Sequence, residues 1–296
     1  MRSSKKSLTV NQKNNLTGWS FLMPATLLIC AMNFYPMIQA FFMSFQSGIG
    51  NKQVWCGLSN YKRLLEDKVF QTALINNFVY LIIQVPIMLV LALILASCLN
   101  RKDLKFKGLF RTAIFLPCCT SLVSYAIIFK SLFAYDGYVN TVLLQLGLIE
   151  SRVNWLGQTN TAKVIIIIAL IWRWTGYNMV FYLAGLQNID ESLYEAAKID
   201  GAGPIKSFFK ITVPMLKPTI LLTAIMSTNG TLQLFDESVN LTNGGPANST
   251  LTMSHYIYKV SFEYSSQFGY AAAISYVIFI LVAILAFVQM KVGDKR

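Results

Sequence analysis

The sequence predicts an all-α integral membrane protein with six transmembrane helices, and three observations carry that prediction. The chain of 296 residues is 55% hydrophobic and 13% charged, about half the charged share of a soluble domain, and its mean hydropathy is +0.51. Its uncharged residues are gathered into long runs: Asn14 to Asn51, Val69 to Asn100, Thr112 to Phe129, Pro218 to Phe235 and Tyr264 to Met290 contain no Asp, Glu, Lys or Arg. A helix needs roughly 20 apolar residues to cross a bilayer, and a soluble core helix keeps a polar face. Finally, the basic residues alternate between connecting segments, as expected of a chain that crosses repeatedly.

The first span is read over about 19–43. Its apolar run is long and lacks an A-x-A end, so it is expected as a retained helix rather than a cleaved leader. Leu58 to Asn77 follows as an interfacial helix, in which Tyr61, Leu64, Leu65 and Phe70 mix with Lys62, Arg63, Glu66 and Asp67, and Ser59 is a candidate cap. The remaining spans are read over about 73–98, 112–132, 164–185, 218–236 and 269–290. Span four contains a charge near its middle, Arg173, beside Trp172 and Trp174. Arg173 is open to two readings, a functional charge or a side chain satisfying helix-end carbonyls or a partner's carboxylate.

Four segments (the N-terminal one, the 101–111 connection, the 198–217 connection and the C-terminus) carry 16 of the 25 Lys and Arg, against 8 in the longer alternate set. That asymmetry predicts cytoplasmic termini: an N-terminal tail over 1–18, a permeating bundle over 19–290 and a C-terminal tail over 291–296. The net charge of +12 then faces anionic lipid, and no nucleic-acid partner is expected. Cys30, Cys56, Cys98, Cys118 and Cys119 form no CxxC pair, and the single histidine, His255, is read in a polar loop. No metal site, cofactor or catalytic group is therefore expected. A G-x4-G-K-[ST] sequence is absent, so nothing here cradles ATP phosphates.

The connection between spans four and five, about 190–217, carries the sharpest signal. Ser192 and Glu195 fit a capping box starting a short helix near Leu193. Ala196 and Ala197 keep one face small, and Gly201 suits a left-handed stop. Pro204 fits the first turn of a second short helix running toward Lys210, and Pro214 and Pro218 break the chain before span five. On these residues alone an ordinary capped loop and a docking element both remain open. The pattern Glu195-Ala196-Ala197, three residues, Gly201, nine residues, Ile211, one residue, Val213-Pro214 resembles the EAA loop of binding-protein-dependent ABC importer permeases, with Val213 where the family carries Leu. Phe181 to Gln187, Leu241-Thr242-Asn243-Gly244-Gly245-Pro246, Tyr256-Ile257-Tyr258 and Gly269 to Ala273 are similar to its sugar-importing branch, the short relatives of maltose-system F-type subunits.

The resemblance implies the type I ABC importer permease (MetI-like) fold in a bacterial inner membrane. It also implies a second permease subunit, two ATP-binding subunits, an extracytoplasmic solute-binding protein and a sugar substrate. ATP hydrolysis falls to the partner, and Glu195, Ala196, Ala197, Asp200, Gly201, Ile211 and Pro214 are expected to couple to it. In span five, Ser227, Gly230, Thr231 and Leu234 share one helix face, and Asn229, Gln233 and Asp236 share another. The resemblance favours the first face for substrate, with Tyr177 opposite. Tyr177, Ser227, Asn229, Gly230, Thr231 and Gln233 are the candidate path residues, against the reading that small residues only let helices pack closely. Gly244-Gly245-Pro246 is read as a tight outer turn, which by likeness faces the binding protein. A glycerol-phosphate or other non-sugar ABC permease is the alternative. An ion-coupled transporter is a further one, although no Asp or Glu falls mid-span.

Overall fold

The computed structural model describes residues 9–293 apart from Asn51 and Lys102; the outermost parts of both predicted tails lie outside the described residues. The chain opens with helix α1, Val10–Ile29, which passes through a π-helical turn, Cys30–Phe34, into α2, Tyr35–Ser44. Helix therefore runs through residues 10–18, well before the predicted first span. Every side chain described between Thr9 and Gln39 is exposed; α2 packs on the C-terminal helix, and Ser44 at its end is bonded by Asn60 and Tyr61.

A two-stranded hairpin follows, which the all-α prediction did not contain. Strands β1, Gln46–Ile49, and β2, Lys52–Trp55, pair antiparallel with Gln46 opposite Trp55 and Ile49 opposite Lys52. The turn falls at Gly50, whose φ of 59° is open to glycine at little cost. The predicted interfacial segment is two elements. Helix α3, Ser59–Glu66, stops at Asp67, and α4, Lys68–Asn100, begins there because the Asp67 carboxylate accepts from the N–H groups of Val69 and Phe70. Ser59 is the first residue of α3 and caps nothing; the cap with chemistry is Asp67.

The third predicted span is broken. Helix α5, Lys107–Cys119, meets α6, Leu122–Leu132, at an angle of 98°. Pro117 in the last turn of α5 removes one backbone donor, and Thr120 leaves helical geometry with φ −72° and ψ 148°. A short α7, Tyr138–Gln145, lies in the next connection, which Asn140 closes by bonding Tyr135 O, Val153 O, Val153 N and Trp155 Nε1. Helix α8, Thr159–Gln187, is the central span, packed along α4. Where the two meet, Ala92 and Ala96 of α4 are fully buried with Met179 and Tyr182 of α8; small residues let the backbones approach. Gly176 does the same against α5, since a Cβ there would sit 2.0 Å from Ile114 O.

After α8 come α9, Glu191–Ile199, α10, Pro204–Ser207, a π-helical turn, Phe208–Thr212, and α11, Val213–Met215. This run meets α12, Lys217–Leu232, at 69°. Pro214 is thus accommodated inside a helical turn instead of breaking it, and the bend falls at Leu216. Helix α12 ends four residues before the predicted end of span five, followed by a π-helical turn, Ser238–Thr242, and α13, Met253–Tyr258. The last helix, α14, Phe268–Gly293, packs on α12 and α2. Among the described residues four helices are long and apolar enough to cross a membrane, or up to six when each bent pair counts as one span.

Candidate functional site

Candidate residues gather at two places, one just after the C-terminal end of α8 and one beside its middle. The first is the 190–217 connection. Asp190 caps α9 by accepting from Ser192 N at 3.0 Å, so the cap is Asp190 and not the predicted Ser192–Glu195 box. Glu195 makes no side-chain bond among the described residues and is exposed. At the other end Gly201 N donates to Lys198 O, Ala202 N donates to Ala197 O, and Gly201 takes φ 75°. This paired closure satisfies carbonyls at the end of α9 and needs a left-handed residue. Tyr194 OH and Thr212 Oγ1, 2.9 Å apart, tie α9 to the π-helical turn. Leu216, 1% exposed, plugs the unit into the ends of α4 and α8.

What remains outward is chemically distinctive. Glu195, Ala196, Asp200, Gly201 and Pro214 are exposed, with Ala197 and Ile211 half-buried. Beside them Ile199 is 87% exposed, Ile205 76% and Phe209 65%, among the exposed cations Lys198, Lys206 and Lys210. Ile205 and Phe209 line one hollow with Lys206 and Lys210, and large apolar side chains grouped on a surface mark a contact site. These three were missed in the sequence, because single apolar residues between charges carry no periodic signal over so short a helix.

The second place is a cavity of about 360 Å³ between α8, the C-terminal half of α12 and the 233–237 segment. Trp174, Tyr177 and Phe235 supply aromatic faces; Gln84, Asn178, Ser227, Thr231 and Gln233 supply amides and hydroxyls. Of the two span-five faces, Ser227, Gly230, Thr231 and Leu234 all line it. From the other face Gln233 and Asp236 line it, while Asn229 is not in the lining and accepts a bond from Gln233 Nε2. Tyr177 packs edge-on to Trp174 and Phe181. Thr231 donates to Gln84 Oε1 at 3.0 Å, and Gln84 and Asn178 both donate to Met88 Sδ.

Arg173 forms the cavity's floor at 5% exposure. Its Nη2 donates to Thr120 O at 3.0 Å, its Nη1 to Thr120 Oγ1 at 3.3 Å, and both reach carbonyls of Pro117 and Cys118 at 3.5 Å. At the 98° break Pro117 O keeps bonds from Thr120 N and Thr120 Oγ1, and the guanidinium adds donors to the Cys118 and Thr120 carbonyls at the end of α5. Tyr125 and Trp174 rings cover it at 5.0 and 5.5 Å. Glu237, 4% exposed, and Asp236 also line the cavity. Gln84, Asn178, Phe235 and Glu237 were not singled out from the sequence. Gln84 within a charge-free run and Asn178 beside Tyr177 were the signals available.

Above the cavity the α12 end and its following loop are pinned by side-chain amides. Asn77 donates to Thr231 O and Leu232 O and accepts from Met253 N; Asn76 donates to Asn248 O and Leu251 O. His255 is fully buried in α13 and not in a polar loop: its Nδ1 is 2.9 Å from Ser238 Oγ. Burial lowers its basicity from the usual 6.5 to about 4, with Lys259 adding to the effect. Asp67 is bonded by Tyr256 OH and Tyr270 OH, each at 2.6 Å. Burial pushes its carboxyl up, but these two bonds with those from Phe70 and Val69 outweigh it and hold the group below the usual carboxylate range.

The sequence family described as binding-protein-dependent transport system inner membrane component matches residues 70–296. The chain is 52% identical to a lactose transport system permease protein of Rhizobium radiobacter over 95% of each chain. It is 36% identical to an arabinooligosaccharides transport system permease protein of Bacillus subtilis, over 92% of this chain and 87% of that one. Among solved structures, a crystal structure of a bacterial ABC transporter involved in the import of the acidic polysaccharide alginate superposes with a TM-score of 0.84, at 24% identity and 96% coverage of both chains.

Proposed function

The chain belongs to the family of binding-protein-dependent transport system inner membrane components, and from that premise we propose that it forms half of the translocation path of an ATP-driven sugar importer. It is a multi-pass membrane transport subunit. The observation that carries the sugar reading is the cavity: aromatic faces beside a ring of amides and hydroxyls are what a saccharide's apolar ring faces and hydroxyl edges require. Tyr177, Ser227, Gly230, Thr231 and Gln233 are its proposed contacts, with Asn229 positioning Gln233. Relatives that carry lactose and arabinooligosaccharides support the class and make a disaccharide the first substrate to test.

The 190–217 unit is proposed to dock on an ATP-binding partner through Glu195, Ala196, Ala197, Asp200 and Gly201, with the apolar trio Ile199, Ile205 and Phe209 entering the contact; Ile211 and Pro214 hold the unit's return to α12. Support comes from its exposure and from its rigid attachment to the ends of α4 and α8. A docking element can drive the path only if it is seated differently in two states of the partner. The exposed α1 supports a second permease chain alongside, and the alternation of basic segments supports cytoplasmic termini.

The test is to purify the chain with its co-expressed neighbours and measure ATP hydrolysis with and without sugar-loaded binding protein. Stimulation by a loaded binding protein supports the reading. Absence of any co-purifying ATPase, with uptake that follows an ion gradient, would overturn it.

A further inference from the structure

The cavity carries more charge than a saccharide's hydroxyls call for. Asp236 and Glu237 bring two carboxylates to one wall, and Arg173 brings one cation to the floor. The cation is already committed: both of its terminal nitrogens bond the oxygens of residues 117–120. Arg173 Nε lacks a partner among the described residues but is itself buried, so it offers the cavity no accessible donor. Glu237 lies within electrostatic reach of both Asp236 and Arg173. Formal charge therefore sums to one excess negative, between low-dielectric walls where it is poorly screened. A neutral saccharide can use carboxylates as hydrogen-bond acceptors for its hydroxyls. A saccharide bearing its own carboxylate meets like charge.

We propose that Asp236 and Glu237 set the charge preference of this cavity, admitting neutral saccharides and turning away those that carry a carboxylate. The proposal rests on the reading of the cavity as a sugar path, and its test keeps the two separable.

Gly230 offers the reporter position, since it lines the cavity and a Cβ there meets nothing within 4 Å. Gly230→Cys is introduced into a chain whose five native cysteines are replaced, assembled with its partner subunits. Labelling rates are compared for cationic, neutral and anionic methanethiosulfonate reagents, each normalised to its rate with a free thiol. The cation should outpace the anion by about 10-fold or more, the low end of focusing by a charged cleft. Glu237→Gln should bring the ratio near one. Asp236→Asn with Glu237→Gln leaves Arg173 as the sole charge and should invert it. Protection of the thiol against the neutral reagent is then measured with lactose and with lactobionate, its carboxylate-bearing oxidation product. Lactose should protect and lactobionate should not, until both carboxylates are neutralised. An unbiased ratio, a ratio indifferent to the two substitutions, equal protection by lactobionate in the unaltered cavity, or a thiol that no reagent reaches would each overturn the proposal. A biased ratio with protection by neither sugar would uphold the charge preference and remove the sugar reading instead.

Discussion

A guanidinium at membrane depth persists only where its donors are met, and Arg173 meets them with the carbonyls of a broken helix. Of the two roles left open in the sequence, the geometry favours the structural one, with the cavity floor as a by-product. Arg173→Ala should therefore leave the Cys118 and Thr120 carbonyls without this donor, at about 1 kcal/mol or more each, and reduce the yield and melting temperature of the assembled complex. Arg173→Lys should rescue little, because an ammonium cannot reproduce the fork that reaches Thr120 and the two carbonyls together. Undiminished yield in both variants would argue against this role. His255 makes a second residue-scale prediction. Its basicity in the fold lies below that of an exposed imidazole, so the unfolded chain binds the extra proton first. The stability it contributes is complete above about pH 6.5 and is lost as pH falls toward about 4. The loss amounts to at most about 3 kcal/mol. A melting series from pH 7.5 to 4.5 should show that decline, and His255→Asn, which keeps a group facing Ser238 Oγ, should flatten it. The structural role of Arg173 was one of the two readings the sequence offered, although its partners were not visible there; the burial of His255 was not readable, since it sits among Ser, Thr and Tyr.

At the scale of elements, the 190–217 unit separates folding from contact. Asp190 and Gly201 are positions where the backbone has to be capped or turned, while Glu195 bonds nothing described within the chain. Asp190→Ala should cost the cap, about 1 kcal/mol, and Gly201→Ala about 1–2 kcal/mol for the left-handed backbone alone, since an added Cβ there meets nothing. Glu195→Ala should leave the melting temperature unchanged within error and still uncouple ATP hydrolysis from uptake in proteoliposomes. Normal coupled uptake in the Glu195 variant would sink the docking assignment. Loss of coupling that tracks loss of stability across all three would reduce the unit to a capped loop. The spacing of Glu195, Gly201 and Pro214 was legible because caps and turns are local. The identity of the cap was not: Asp190 and Ser192 are both good cap residues, and which one ends outside the helix depends on how α8 delivers the chain.

For the whole molecule, α1 is a long apolar helix that this chain leaves uncovered along its length. Co-expression with a second permease chain should raise the yield of monodisperse protein several-fold over expression alone, as followed by size-exclusion chromatography in mild detergent; equal yields would indicate that lipid alone covers α1. Charge-free runs and alternating basic segments determined by themselves that the chain is helical, crosses a membrane several times and presents one connection with fixed spacings. That much is legible because the bilayer imposes length and polarity on each span separately. Only the tertiary structure decided that the third span breaks at Thr120, that Arg173 closes the break, that Asp67 splits the interfacial segment, and that Gln84, Asn178, Phe235 and Glu237 share a cavity with Tyr177. These depend on which spans lie side by side: hydrocarbon makes most apolar faces equivalent, so sequence periodicity does not select the neighbours, and the partners of a few buried polar groups do.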